Sequence, residues 1–207
     1  MKITKYEHAC LDIEQDGRHL VIDPGIFSVS YEPDSNIDIV VITHVHGDHF
    51  DPNRLRKIRE KNPNVKIYGP SQVVEKGAGL EIKSISAGQQ LEFKPFRLEF
   101  FGGKHELYED FENVGVLVND TLYHPGDSYT QPMKLVKVLA APASAPWLRI
   151  SEATEFIITC KPELVFPIHT SLLSEIGETI HYRILSEAAE KIGSRWQVLK
   201  PTEFISI

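Results

Sequence analysis

Polar and apolar positions alternate at the start of the chain and then stop alternating. Ile3 to Tyr6 and Ala9 to Ile13 carry a period of two, Asp16-Gly17 marks a turn, and His19 to Ile22 reads as the return strand. Ile37 to Ile42 is different: a near-continuous β-branched run, the pattern of a strand paired on both edges and covered on both faces. Asp51-Pro52 then offers an N-cap followed by proline at the first helical position, and Asn62-Pro63 closes a helix ending near Lys61. Leu55 and Ile58 mark its inner face. Arg54, Arg56, Lys57, Arg59 and Lys61 surround them and read as a solvated outer face.

The remainder continues as strands and helices in alternation. Val65 to Tyr68 is a short strand, and Gly69-Pro70-Ser71 opens a brief helix through Glu75. Strands follow at Glu81 to Ser86, Gln90 to Phe93 and Phe96 to Phe101, and a hairpin pairs Asn113 to Val118 with Thr121 to His124. Leu135 to Ala141 has an ambiguous period; the proline-rich segment behind it favours a strand. Ser151 to Cys160 is predicted helical, Leu164 to Ile168 a buried strand, and Glu178 to Ile192 a longer helix ended by Gly193. Trp196 to Leu199 and Phe204 to Ile207 close the chain as strands. No internal repeat or linker divides the 207 residues, so one domain over 1–207 is expected, built as two sheets flanked by helices.

Composition narrows the classes. Hydrophobic residues at 42% and charged residues at 25% describe an ordinary globular chain. No apolar stretch approaches the ~18 residues of a membrane span, and Met1 to Glu7 lacks the core of a secretory signal, so a cytoplasmic location and no membrane partner are expected. Cys10 and Cys160, far apart in apolar surroundings, read as buried thiols. The net charge of −7 argues against nucleic acid as a partner.

The chemistry is concentrated directly behind the buried strand, in Thr43-His44-Val45-His46-Gly47-Asp48-His49-Phe50. On an extended segment His44 and His46 point the same way, and Gly47 allows Asp48 and His49 to turn back towards them. Four nitrogen or oxygen donors on a strand-to-helix turn suit one or two zinc-like ions. Three more metal-competent residues lie just past predicted strands, where rigid scaffolds assemble sites: His105 after Gly102-Gly103, Asp127 in Gly126-Asp127-Ser128, and His169 after Ile168. Glu106 competes with His105. No nucleophile elbow or P-loop offers another mechanism.

The run His44-Val45-His46-Gly47-Asp48-His49 resembles the HxHxDH signature of the metallo-β-lactamase superfamily of metal-dependent hydrolases. The resemblance covers nearly the whole chain and is nearest to small stand-alone hydrolases. It implies an α/β, four-layer αβ/βα sandwich with two divalent metal ions, expected to be zinc with manganese or iron as alternatives. His44, His46 and His105 match the ligands of one ion; Asp48, His49 and His169 match those of the other; Asp127 matches the bridging carboxylate. Asp48 and Asp127 are the expected catalytic carboxylates. Asp23, at the end of an early strand, matches a residue that buttresses the metal loop, although Asp23-Pro24-Gly25 is also a good turn by itself.

The implied enzyme is a binuclear hydrolase using a metal-bridged hydroxide on a small-molecule ester, lactone or phosphodiester. A non-enzymatic metal-binding or regulatory module of the same fold, or a nucleic-acid phosphodiesterase, is the alternative. His8 and His19 read as structural, His181 as solvent-facing, and His124 as either structural or a support for a ligand. Trp147 is expected either to wall a substrate pocket or to anchor its loop to the core.

Overall fold

The computed structural model describes residues 1–207. Fourteen strands and four helices follow one another along the chain. The first half contains β1 (Lys2–Lys5), β2 (Leu11–Gln15), β3 (Arg18–Ile22), β4 (Ile37–Val41), α1 (Pro52–Lys61), β5 (Lys66–Gly69), α2 (Ser71–Lys76) and β6 (Ile82–Ser84). The second contains β7 (Gln90–Phe93), β8 (Phe96–Gly102), β9 (Val114–Val118), β10 (Leu122–His124), β11 (Val138–Pro142), α3 (Ile150–Cys160), β12 (Leu164–Ile168), α4 (Glu175–Lys191), β13 (Arg195–Trp196) and β14 (Phe204–Ser206). One seven-stranded sheet has the order β14-β1-β2-β3-β4-β5-β6 and the other the order β13-β12-β11-β10-β9-β8-β7. Each is antiparallel towards one side and parallel towards the other, from β3 to β6 and from β10 to β13.

Alternation along the strands explains why the sheets stack. In β4, Ile39 and Val41 face the other sheet and join Leu98, Phe100, Val116 and Phe166 in the central core. Val40 and its neighbour Ile42 face the opposite way and pack with Leu55, Ile58 and Val73 from α1 and α2. On the far side, Leu117, Leu139 and Val165 pack with Phe156 and Ile157 of α3 and Leu185 of α4. The layers are therefore helix, sheet, sheet, helix: the four-layer αβ/βα sandwich that the resemblance implies.

Several local expectations shift. The second strand spans Leu11–Gln15, two residues later than the pattern suggested, and the strand expected over Leu135 to Ala141 runs from Val138 to Pro142. The long helix begins at Glu175 because Ser174 caps it, its side chain accepting a hydrogen bond from the Gly177 N–H. Only Arg195 and Trp196 pair at the strand expected to reach Leu199. The basic face of α1 is less free than predicted. Arg54 donates to the Tyr31 carbonyl, Arg59 to Glu81 and the Leu80 carbonyl, and Lys61 to the Pro33 carbonyl. Three of its five cations thus tie the helix to neighbouring loops. Cys10 and Cys160 are buried free thiols. No helix is long and apolar enough to cross a membrane.

Candidate metal centre

The strand-to-helix turn is held from beneath by Asp23, at the end of β3. Its backbone is left-handed (φ 50°), and its N–H donates to the Val41 carbonyl at 3.0 Å. Its Oδ1 accepts from the Thr43 N–H, and its Oδ2 from the Thr43 hydroxyl and from His49 Nδ1, all three at 2.7 Å. Asp23 is fully buried and spends its carboxylate on the loop, so it buttresses the turn as the resemblance implies. Gly25 lets the chain after Asp23 lie directly on the Asp48 backbone, where a Cβ would collide with the Asp48 carbonyl.

Those bonds also choose the histidine tautomers. With its Nδ1 proton given to Asp23, a neutral His49 would present a bare Nε2. The Thr43 hydroxyl donates to Asp23 and therefore accepts from His44 Nδ1 at 3.1 Å, leaving His44 Nε2 bare as well. His169 Nδ1 donates to the Ser144 carbonyl at 2.6 Å, which does the same for its Nε2. His105 is set differently. Its Nδ1 accepts from the Leu107 N–H at 3.1 Å, and its Nε2 proton faces Asp127 Oδ2 at 3.4 Å.

All seven predicted residues converge. His44 Nε2 lies 3.1 Å from His46 Nδ1 and 3.8 Å from Asp127 Oδ2. Asp127 Oδ1 lies 3.0 Å from His49 Nε2 and 3.1 Å from His169 Nε2. Asp48 Oδ2 stands 3.5 Å from His169 Nε2 and 3.8 Å from His49 Nε2. Two donor groups result, His44-His46-His105-Asp127 and His8-Asp48-His49-His169, and the two oxygens of Asp127 face one group each.

The buried atoms His49 Nε2, His105 Nε2, Asp127 Oδ1 and His169 Nε2 make no hydrogen bond. Two donors on one zinc-like ion stand roughly 3–3.6 Å apart at bond lengths of about 2.1 Å. The spacing, the bare nitrogens and the carboxylates fit divalent ions well. His105, and His46, whose Nδ1 proton is given to the bare His44 Nε2, would have to exchange tautomers.

The electrostatics of the ion-free chain show the same tension. Burial pushes the His44 imidazole well below its ordinary value, and burial and then His105 lower that of His46. Burial disfavours charge on His49 too, but Asp127 and Asp23 outweigh it and raise that group well above the usual histidine range. Asp127 is held well below the carboxylate range: burial opposes this, and the imidazoles of His169, His49 and His44 prevail. Buried imidazoles crowd around two carboxylates, with ring nitrogens turned towards each of them.

Three supporting roles escaped the sequence reading. The indole N–H of Trp147 donates to Asp127 Oδ2 at 2.8 Å, and its ring stands 6.1 Å from that of His105 and 6.2 Å from that of His169. It is therefore more than an anchor or a pocket wall. Asn113 accepts from the Asp127 N–H and donates to the Pro125 carbonyl. His8 had been read as structural, yet it is fully buried with Nε2 3.0 Å from Asp48 Oδ2. Its left-handed backbone (φ 61°) between two strands carries no signal in the composition of Glu7-His8-Ala9.

The other histidines resolve plainly. His124 donates to the Ala9 carbonyl and accepts from the Gly126 N–H, so it fixes the loop that carries Asp127. His19 pairs with Asp12 away from the centre, as a structural residue would. His181 does not simply face solvent: its ring is half-buried and its Nδ1 lies 2.7 Å from the Ala143 carbonyl. Glu106 accepts from the Tyr129 N–H rather than competing with His105. A cavity of about 660 Å³ opens beside His105, but none of the other donors lines it.

Comparison with known proteins identifies the family. Residues 2–169 match the family described as "Beta-lactamase superfamily domain". Protein Rv0786c of Mycobacterium tuberculosis is 33% identical over 196 residues, covering 90% of this chain and 92% of its own. A UPF0173 metal-dependent hydrolase of Methanopyrus kandleri is 30% identical, covering 82% of this chain and 84% of its own. Among solved structures, Igni18, a metallo hydrolase from Ignicoccus hospitalis, superposes with a TM-score of 0.76 at 20% identity, over 99% of this chain and 97% of its own. The metallo-β-lactamase fold protein YhfI from Bacillus subtilis gives 0.77 at 17% identity, over 99% and 98%. Fold, motif and sequence relationship coincide, and the chain belongs to the metallo-β-lactamase superfamily.

Proposed function

We propose that this protein is a metal-dependent hydrolase with two divalent ions, zinc in the first instance, acting on a small-molecule ester, lactone or phosphodiester. The observation that carries this reading is the orientation of Asp127, with one oxygen towards each donor group and no hydrogen-bond partner on Oδ1. His44, His46 and His105 would hold one ion, and Asp48, His49 and His169 the other. A bound pair of such ions supplies an acidified water and draws charge from the substrate's carbonyl or phosphoryl oxygen.

The chain's own groups do the rest. Asp127 accepts the attacking water's proton as general base, with Trp147 keeping Oδ2 in place. Asp48, whose side chain is 22% exposed, is the carboxylate nearest solvent and can pass that proton onward. The rings of Phe111 and Tyr108, 4.8 and 5.9 Å from that of His46, offer a wall against which a substrate can lie. An acidic chain whose α1 cations are largely spent on internal bonds favours a small molecule over nucleic acid.

Protein purified without chelator should contain close to two divalent ions per chain by elemental analysis. Loaded with zinc, it should turn over at least one member of a panel of nitrophenyl esters, lactones and phosphodiesters. A metal content near zero, with no uptake of zinc, manganese or iron, would end this reading. A fully loaded protein inert on the whole panel would instead favour the binding-module alternative.

A further inference from the structure

We infer that His8 is a direct protein ligand of the ion held by Asp48, His49 and His169. The inference rests on the proposed metal centre and adds to it a donor from outside the HxHxDH motif. Asp48 Oδ2 is surrounded by three imidazole nitrogens: His8 Nε2 at 3.0 Å, His169 Nε2 at 3.5 Å and His49 Nε2 at 3.8 Å. The Nδ1 proton of His169 is given to the Ser144 carbonyl, so in the neutral ring its Nε2 turns a lone pair towards this oxygen; the Nδ1 proton of His49, given to Asp23, leaves its Nε2 free to do the same for an ion. Lone pairs facing a carboxylate repel it unless a cation lies among them. His8 Nε2 approaches from the same space, donating to Asp48 Oδ2; its Nδ1 is buried without a partner, so no bond holds the ring in that tautomer, and donor atoms of all four residues lie within 4.8 Å of one another.

The ring is also built to stay there. His8 is fully buried, tilted against His169 at 3.8 Å between centroids and edge-on to Phe27 at 5.2 Å. Its carbonyl accepts the His169 N–H at 2.9 Å, and both residues are left-handed, with φ of 61° and 59°. Two adjacent non-glycine residues in that region are costly, and such strain collects where geometry serves a site.

The consequence is an asymmetric pair of positions. One has four protein side chains, His8, Asp48, His49 and His169, in addition to Asp127 Oδ1. The other has three imidazoles and Asp127 Oδ2. The crowded position should bind its ion more tightly and admit little else, whereas the other keeps room for a substrate oxygen.

The direct test is the crystal structure of the zinc-soaked wild type, with ions located by anomalous scattering. His8 Nε2 is expected at about 2.0–2.1 Å from the ion on Asp48, His49 and His169. An ion there with His8 Nε2 still bonded only to Asp48 would overturn the assignment and leave the proposed function standing. No ion at either position would overturn both.

In solution, His8→Asn tolerates the left-handed backbone but is too short to reach the ion. Chelator-competition titration should show the tighter zinc weakened by more than ~100-fold, with the weaker one retained. A loss confined to the 10–100-fold typical of residues behind the ligands would make His8 a partner of Asp48 only. That result, like an unchanged affinity, would refute ligation.

Discussion

Asp127→Asn should retain the fold and lose most of the activity. The amide preserves the shape and still accepts from Trp147, but it removes the negative charge between two clusters of imidazoles and cannot serve as a base. Hydrolysis of whichever panel substrate is turned over should fall by about 10²-fold or more, the lower end of general acid–base effects. Elemental analysis should show fewer than two ions per chain, since each donor group loses the anionic oxygen it shares. Circular dichroism would confirm the fold. A variant matching the wild type in both metal content and rate would refute the bridging role.

Asp23→Ala should have the largest effect on stability while touching no substrate. It strands the Thr43 N–H, the Thr43 hydroxyl and His49 Nδ1 in a fully buried setting. Breaking such a buried network costs about 3–5 kcal/mol. A urea titration of metal-free protein should therefore show an earlier midpoint at an unaltered slope. Zinc affinity should drop by about 10–100-fold too, because nothing then fixes which nitrogen of His49 carries the proton. Unchanged stability and unchanged affinity together would mean that Asp23 is only a turn residue.

What could be read from the sequence was what the chain encodes locally. The buried strand, the Asp51-Pro52 cap and four donors between them occupy Ile37 to Pro52, so neighbouring residues announce one another. His105, Asp127 and His169 were found because each lies just behind a strand with a clear pattern. Resemblance, not pattern, assigned them to particular ions.

The missed residues act across distance. His8 meets Asp48 forty residues on, Trp147 meets Asp127 from twenty away, and His181 reaches Ala143 across thirty-eight. Nothing in an isolated histidine or tryptophan reports the register that brings such partners together. The early start of α4 was hidden for another reason: Gly177 resembles a helix breaker until its N–H is seen on Ser174.

The donors come from both sheets. His8, His44, His46, Asp48 and His49 belong to loops of the sheet containing β4, whereas His105, Asp127 and His169 follow β8, β10 and β12 of the other. Metal binding is thereby coupled to the docking of one half of the chain on the other. Because an ion bound only by the folded chain stabilises it by mass action, each tenfold rise in free zinc above its dissociation constant should add about 1.4 kcal/mol. The melting temperature should climb with free zinc and settle to a floor in excess chelator, and the opening of the inter-sheet seam should set how fast the ions can leave.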